Sequence, residues 1–133
     1  MIPYKITQIE TKQFAIFSDK FVNGDIVNIN TNFNFNLKSD FVQIRCSSLI
    51  QFFQKEQLIL LLEIVCIFDI ANEGVDFIKK ENRVPVDFLR YMATIVVGTA
   101  RGVIHAKTES TVLNSIVLPP INLVDAIKDD IQI

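Results

Sequence analysis

From Asp25 to Ile70 apolar and polar residues alternate through three consecutive segments, the pattern of strands with one buried and one solvated face. Val27, Ile29, Thr31, Phe33, Phe35 and Leu37 alternate with Asn28, Asn30, Asn32, Asn34 and Asn36, so the first segment has an apolar side and a side of amides. A turn at Ser39-Asp40 pairs Leu37 with Val42, Phe35 with Ile44, Phe33 with Cys46 and Ile29 with Ile50. A turn at Lys55-Glu56-Gln57 then sets Phe52 against Leu60, Ile50 against Leu62, Cys46 against Cys66 and Ile44 against Phe68, all on the same face. The last segment is apolar on its other side too. Ile59, Leu61, Val65 and Ile67, with Leu49 and Phe53 of the neighbouring segment, are interrupted there only by Glu63 and Asp69. A half-solvated sheet is polar on that side, so a partner subunit or a non-polar client is expected to cover it.

Ile6 to Phe17 alternates less well, with Ile9, Thr11, Ala15 and Phe17 on one side and Phe14 and Ile16 on the other, as expected of an edge strand with a bulge. Asn72-Glu73-Gly74 reads as a stop, and Val75 to Val84 as a charged connection with room for a short helix. Pro85 opens a helix, with Asp87 in its first turn. Phe88, Leu89, Met92, Ile95, Val96, Thr99 and Val103 recur at helical spacing to about His105. The opposite side carries Tyr91, Thr94, Gly98, Arg101, Gly102 and His105. Glycine inside a helix costs roughly 1 kcal/mol relative to alanine. Close approach of another backbone, a helix contact between subunits, is therefore the expected use of Thr94, Gly98, Arg101 and Gly102, with slack at the helix end as the alternative. An extended Ile116-Val117-Leu118, a Pro119-Pro120 break and a short helix over Leu123 to Ile131 complete the chain.

At 133 residues the chain is expected to form one domain, residues 1–133, with a core of its own. Half its residues are hydrophobic and eleven are phenylalanine, which favours extra burial by oligomerisation. A net charge of -2 gives no footprint for nucleic acid. Without a leader pattern or a membrane-length apolar run, a cytoplasmic location without membrane insertion is expected. Two cysteines, Cys46 and Cys66, are too few for a disulfide scaffold and read as small buried hydrophobes, their redox state left open.

Candidate chemistry is sparse. His105 is the single histidine, and with Glu109 four residues on it falls far short of a metal set, so no metal site is expected. Glu63 and Asp69 share a strand face but stand about 20 Å apart at ~3.3 Å per residue, too far for paired acid and base. Gly98 and Gly102 fall inside a helix rather than at its start and form no phosphate loop. No catalytic residue is assigned and no enzyme is expected. The asparagine row has two readings: a solvated outer face, which is favoured, or amides that bond an extended peptide laid across the sheet.

The order of these elements resembles the bacterial export chaperone SecB and its relatives over nearly the whole chain. Ile9-Glu10-Thr11-Lys12 resembles the family's first strand, and Leu61-Leu62-Glu63-Ile64 with Ile67-Phe68-Asp69-Ile70 its fourth. Leu118, Pro120 and Asn122 match the pattern ahead of its last helix. The resemblance implies an α+β fold, a four-stranded antiparallel β-meander packed with one long and one short C-terminal helix. It also implies a dimer of dimers formed through the long helix, without cofactor or ATP. The implied activity is that of a holdase, which captures unfolded or precursor polypeptides in hydrophobic grooves between sheet and C-terminal region. On this chain that groove is assigned to Leu49, Phe53, Leu61 and Val65 with Leu118, Pro120 and Leu123. Family members dock the SecA motor through acids placed directly after the Thr-Lys pair and four positions further on. Gln13 and Phe17 stand there here, Glu63 is the motor-docking acid that remains, and SecA docking is not carried over. SecB relatives also serve as dedicated chaperones of toxin-antitoxin systems. Export, toxin-antitoxin service, a structural oligomer and a small-ligand-binding protein stay open as alternatives.

Overall fold

A computed structural model describes residues 2–133. β1 (Tyr4–Ile16), β2 (Asn28–Thr31), β3 (Asn34–Leu37), β4 (Gln43–Gln54) and β5 (Gln57–Ile70) form one antiparallel sheet, followed by α1 (Asn72–Glu81). β6 (Arg83–Val84), the long α2 (Val86–Thr108), the one-turn α3 (Leu123–Ala126) and β7 (Ile131–Gln132) complete the chain. The sheet is ordered β1-β5-β4-β2, with β3 sharing the lane of β2, and β6 pairs with β7 apart from it. The fold is α+β, an antiparallel sheet with C-terminal helices laid on one face.

The β4–β5 hairpin is registered as its apolar pattern dictates. Phe52 faces Leu60, Ile50 faces Leu62, Cys46 faces Cys66 and Ile44 faces Phe68. Its turn is tighter than the expected Lys55-Glu56-Gln57. Lys55 and Glu56 alone occupy it, at φ 47° and 67°, the left-handed pair of a two-residue hairpin turn. Gln57 joins the ladder, and a bulge beside Phe52 and Phe53 takes up the extra residue. That bulge turns Ile59 into the core, correcting its expected place on the outer face.

The preceding turn runs over Lys38 to Val42 rather than Ser39-Asp40, with Phe41 at φ 59° donating to the Lys38 carbonyl at 2.9 Å. Leu37 consequently faces Ile44, Phe35 faces Cys46 and Ile29 faces Phe52, a two-residue slip from the expected pairing. Because strand side chains repeat every second residue, a slip of two keeps every apolar side chain on its own face. Phe41 tucks against the core in place of Val42, which is exposed. The asparagine segment is one lane broken at Asn32–Phe33. There the Leu49 N–H donates to Asn32 Oδ1 at 3.1 Å, and the Asn32 carbonyl accepts the Ser48 hydroxyl at 2.6 Å.

β1 lies at the sheet edge and is bulged between Ile6 and Gln8 and again between Thr11 and Gln13. Each bulge flips the alternation. Ile9 and Thr11 therefore share the helix-side face with Phe14 and Ile16, opposite Cys66, Ile64, Leu62 and Leu60, correcting the split expected from simple alternation.

α2 packs on that face with Phe88, Leu89, Met92, Ala93, Val96, Val97, Ala100 and Ile104 buried. Its contact stripe is rotated from expectation: Ile95, Thr99 and Val103 are half-buried flanks, and small Ala93 and Ala100 let the helix settle close to the sheet. Pro85 is the residue before the first helical turn and has no side-chain cap to offer. Asp130 caps the helix instead, accepting from the Val86 N–H at 2.7 Å while pairing with Arg83 at 3.0 Å. The C-terminal helix expected over Leu123 to Ile131 is confined to one turn, capped by Asn122 Oδ1, because Ile131 is drawn into β7.

Gly74 does not stop the chain but lies in the first turn of α1, where Ile2 and Ile70 press on its Cα. A methyl group there would stand 2.9 Å from Ile70 Cγ2 and closer still to Ile2. Overpacking of this kind costs about 1–3 kcal/mol. Gly74→Ala should lower the urea midpoint of unfolding correspondingly with an unchanged slope, and an undiminished midpoint would show the contact to be slack.

Candidate functional site

The outer face of the sheet, away from α2, is built from alternate residues of each strand. β5 contributes Leu61, Glu63, Val65 and Ile67, while β4 contributes Arg45, Ser47, Leu49, Gln51 and Phe53. β1 sets Gln8, Glu10, Gln13 and Ala15 beside Ile67, Val65, Glu63 and Leu61. The expected uncovered apolar face is thus corrected to an apolar stripe on β5 and the neighbouring part of β4, bordered by rails of polar side chains. Val65 and Ile67 retain only 5% and 7% of their exposure, because the long flanking side chains cover them. Leu49, Phe53 and Leu61 are half-buried.

The rails are charged and ordered. Glu10 receives Lys12 Nζ at 2.6 Å and the Gln8 amide at 2.6 Å, and Arg45 stands 3.9 Å away. The Lys12 hydrogen bond holds the Glu10 carboxyl below its ordinary range, with Arg45 adding to the effect. Glu63 accepts the Gln13 amide at 2.8 Å. Lys12, Gln13, Asn34, Asn36, Arg45, Ser47 and Glu63 enclose a polar hollow of about 400 Å³ floored by Val65. The asparagines of β2 and β3 are exposed on the same side.

The other half of the assigned groove lies across the sheet. Leu118 is buried in the core cluster on the helix side, Leu123 is half-buried against that cluster and Pro120 is exposed. Leu49, Phe53, Leu61 and Val65 therefore do not share a groove with Leu118, Pro120 and Leu123. The extended segment is fixed along α2 by two arginines. Arg101 Nε donates to the Leu118 carbonyl at 2.7 Å and its Nη2 to the Pro119 carbonyl at 3.1 Å, while Arg90 Nε donates to the Ile127 carbonyl at 2.9 Å. These clips escape a periodicity reading, since an arginine beside a helix stripe gives no sign of which carbonyl it will hold.

Of the residues assigned to a subunit contact, Thr94, Gly98 and Gly102 lie exposed along α2, while Arg101 is committed to its own chain. A Cβ added at Gly98 or Gly102 would meet nothing within 4 Å, so no intrachain contact accounts for either glycine. Between them and Ile116 and Val117 runs a shallow apolar groove of about 360 Å³.

His105 and Glu109 are exposed and 4.0 Å apart at the end of α2. Among the described residues no group of three or more metal-ligating side chains converges. A hollow of about 530 Å³ between α1, β6 and the start of α2 has Phe77, Phe88 and Tyr91 as walls, and its Arg83 is already paired with Asp130 and Glu81. Cys46 and Cys66 face each other as free thiols in the core. Burial pushes the Cys46 thiol far above its ordinary value, with the neighbouring Cys66 adding to it. Burial raises Cys66 too, against a lowering hydrogen bond from Thr99.

With these geometries in place the chain can be set against known proteins. The antiparallel sheet with its C-terminal helices is a SecB-like fold. The structure is similar to that of the Mycobacterium tuberculosis SecB-like chaperone Rv1957 in complex with a ChAD peptide from the Rv1956 HigA1 antitoxin. The TM-score is 0.55 at 11% sequence identity, and the match covers 89% of this chain and 90% of that one. No protein-family model matches the chain, and no curated protein is similar to it in sequence. Among the described residues no helix is long and apolar enough to cross a membrane.

The buried thiols give a test of the core. Their folded values lie above the ordinary 9.0, so they add no pH dependence below it, and stability should fall as pH rises past it, where the unfolded thiols ionise and the folded ones do not. Both should resist iodoacetamide at pH 8 until urea unfolds the chain. Rapid alkylation of the native protein would contradict the packing.

Proposed function

We propose that this protein is an ATP-independent chaperone that holds non-native polypeptide by burial rather than by catalysis. The observation that carries this reading is the agreement of fold, over 89% of this chain, with a SecB-like chaperone seen with an antitoxin peptide bound. The surface chemistry supports it. Leu49, Phe53 and Leu61 form a half-exposed stripe beside amides and charges, suited to an extended segment whose apolar side chains leave water while its polar groups meet the rails. On the helix side, exposed Pro120 and half-buried Leu123 offer a second, separate patch, and buried Leu118 anchors the segment that bears it. A client long enough to reach both binds with the avidity of linked sites.

Assembly belongs to the same reading. Thr94, Gly98 and Gly102 give α2 a bare side on which a second α2 can approach closely, and a dimer of dimers built there multiplies the client surfaces. A dedicated polypeptide partner, of the kind seen with the neighbour, is favoured over general export, because Gln13 and Phe17 stand where the resemblance places docking acids and Gln13 holds Glu63, the one acid left of that pattern. The work is cytoplasmic and uses no cofactor, nucleic acid or SecA.

Light scattering from a chemically unfolded model protein should be suppressed at near-stoichiometric chaperone. Truncating Phe53 and Leu61 to alanine removes roughly 1 kcal/mol of burial each, so the double variant should bind such a client about tenfold or more weakly while its sedimentation is unchanged. Loss of assembly with unaltered client binding would make that face structural instead.

Gly98→Ala separates assembly from folding. Within one chain the added methyl group meets nothing, and helix propensity alone should stabilise the protomer by about 0.5–1 kcal/mol. Between closely approaching helices the same methyl should push the oligomer towards smaller species in sedimentation velocity. An unchanged oligomer in the variant would remove α2 from the interface.

A further inference from the structure

The hollow of about 530 Å³ between α1, β6 and the start of α2 lies apart from the outer face of the sheet, and its size is that of a small-molecule site. Its floor is apolar. Ile2, Gly74 and Phe88 are buried there, and the bare Cα of Gly74 lets Ile2 press against α1. Phe77 and Tyr91 stand at the mouth, 37% and 48% exposed. These walls already accept a cation, for the Arg83 guanidinium lies 5.9 Å from the centre of the Phe77 ring, within reach of a cation–π contact. Arg83 is not a free charge for an anionic ligand, because Asp130 at 3.0 Å and Glu81 at 3.6 Å hold it. Glu73 and Asp87 are the acids of the lining. Among the described residues Glu73 forms no ion pair, and Asp87 meets only Arg90, at 3.5 Å, with 80% of its side chain exposed. The walls are two helices, whose main-chain groups bond within themselves, and β6, which pairs with β7, so recognition there falls to side chains rather than to a peptide backbone.

We infer that this hollow binds a free organic ammonium ion with a compact apolar body, the body against Ile2 and Phe88 and the ammonium beside Glu73, Asp87 and the rings of Phe77 and Tyr91. The site is separate from the client surfaces and does not depend on the chaperone reading. Burial of the body supplies affinity, and the carboxylates and ring faces select the charge. A second copy of the chain is the competing occupant, since the bare side of α2 begins one turn beyond Tyr91. A symmetric contact centred here would set Glu73 and Asp87 against their own copies, like charge on like.

The chain has no tryptophan, and both its tyrosines belong to this region, Tyr91 on the lining and Tyr4 with its ring 5.2 Å from that of Phe88. Tyrosine fluorescence of the whole protein therefore reports on the hollow. Titration at neutral pH compares three charge forms of one body: cyclohexylmethylammonium, cyclohexylmethanol and cyclohexanecarboxylate. The ammonium should bind about tenfold more tightly than the alcohol, and the carboxylate most weakly. Glu73→Gln and Phe77→Leu, both at exposed positions, should each weaken the ammonium about threefold or more and change the alcohol little. Equal affinity for ammonium and alcohol would reduce the hollow to an apolar cavity, and a preference for the carboxylate would make it an Arg83 site. Either result overturns the inference. Tighter binding of Nα-acetyl-lysine methylamide than of the free amine would transfer the cation to a polypeptide and overturn it too. So would ammonium binding that neither substitution alters, or a fluorescence change that follows protein concentration without ligand, which would assign the hollow to a second copy. The comparison of the three forms on the unmodified chain decides the matter even where a variant fails to fold.

Discussion

The register between β4 and β5 is the constraint from which the rest of the structure follows. Ile44, Cys46, Ile50 and Phe52 face Phe68, Cys66, Leu62 and Leu60, and every one of these side chains is essentially inaccessible. A slip of one residue would send this whole set to the outer face. The hairpin tolerates a strained two-residue turn of Lys55 and Glu56 rather than give up that register, and absorbs the mismatch in a bulge at Ile59. β1, the asparagine lane and α2 are then placed by the two faces and two edges the hairpin offers.

On the outer face the neighbouring strands cover much of the second apolar side of a central strand. Val65 and Ile67 are screened by the stems of charged and amide side chains one strand away, so polarity is set across the sheet rather than along β5. This leaves a narrow, half-exposed stripe instead of a broad sticky surface.

Where alternation was regular the fold was legible in the chain itself, as in the β4–β5 pairing, the proline-led long helix and the apolar side of the asparagine lane. Misreadings fell where one residue changes parity: Ile59 at its bulge, the two bulges of β1, and Phe41, whose left-handed turn moves Val42 out. Long-range polar contacts were not legible, because nothing local to Arg90, Arg101 or Asp130 names a partner. The residues assigned to one groove are divided by the sheet. Leu49, Phe53 and Leu61 lie together as expected, but Leu118 belongs to the core on the far side of the sheet.

The placement of β1 and Asp130 bears on how the chain is made. β1 is synthesised before every other strand of its sheet, yet its partner is β5, and the cap of α2 comes from a residue synthesised well after the helix it closes. Neither the sheet nor the long helix can be finished in the order of synthesis, and contacts so distant along the chain slow folding. During that wait β1 is an unpaired strand beside other nascent chains. Its bulges and charges, which blunt the edge of the finished sheet, equally discourage pairing with a wrong neighbour during that wait.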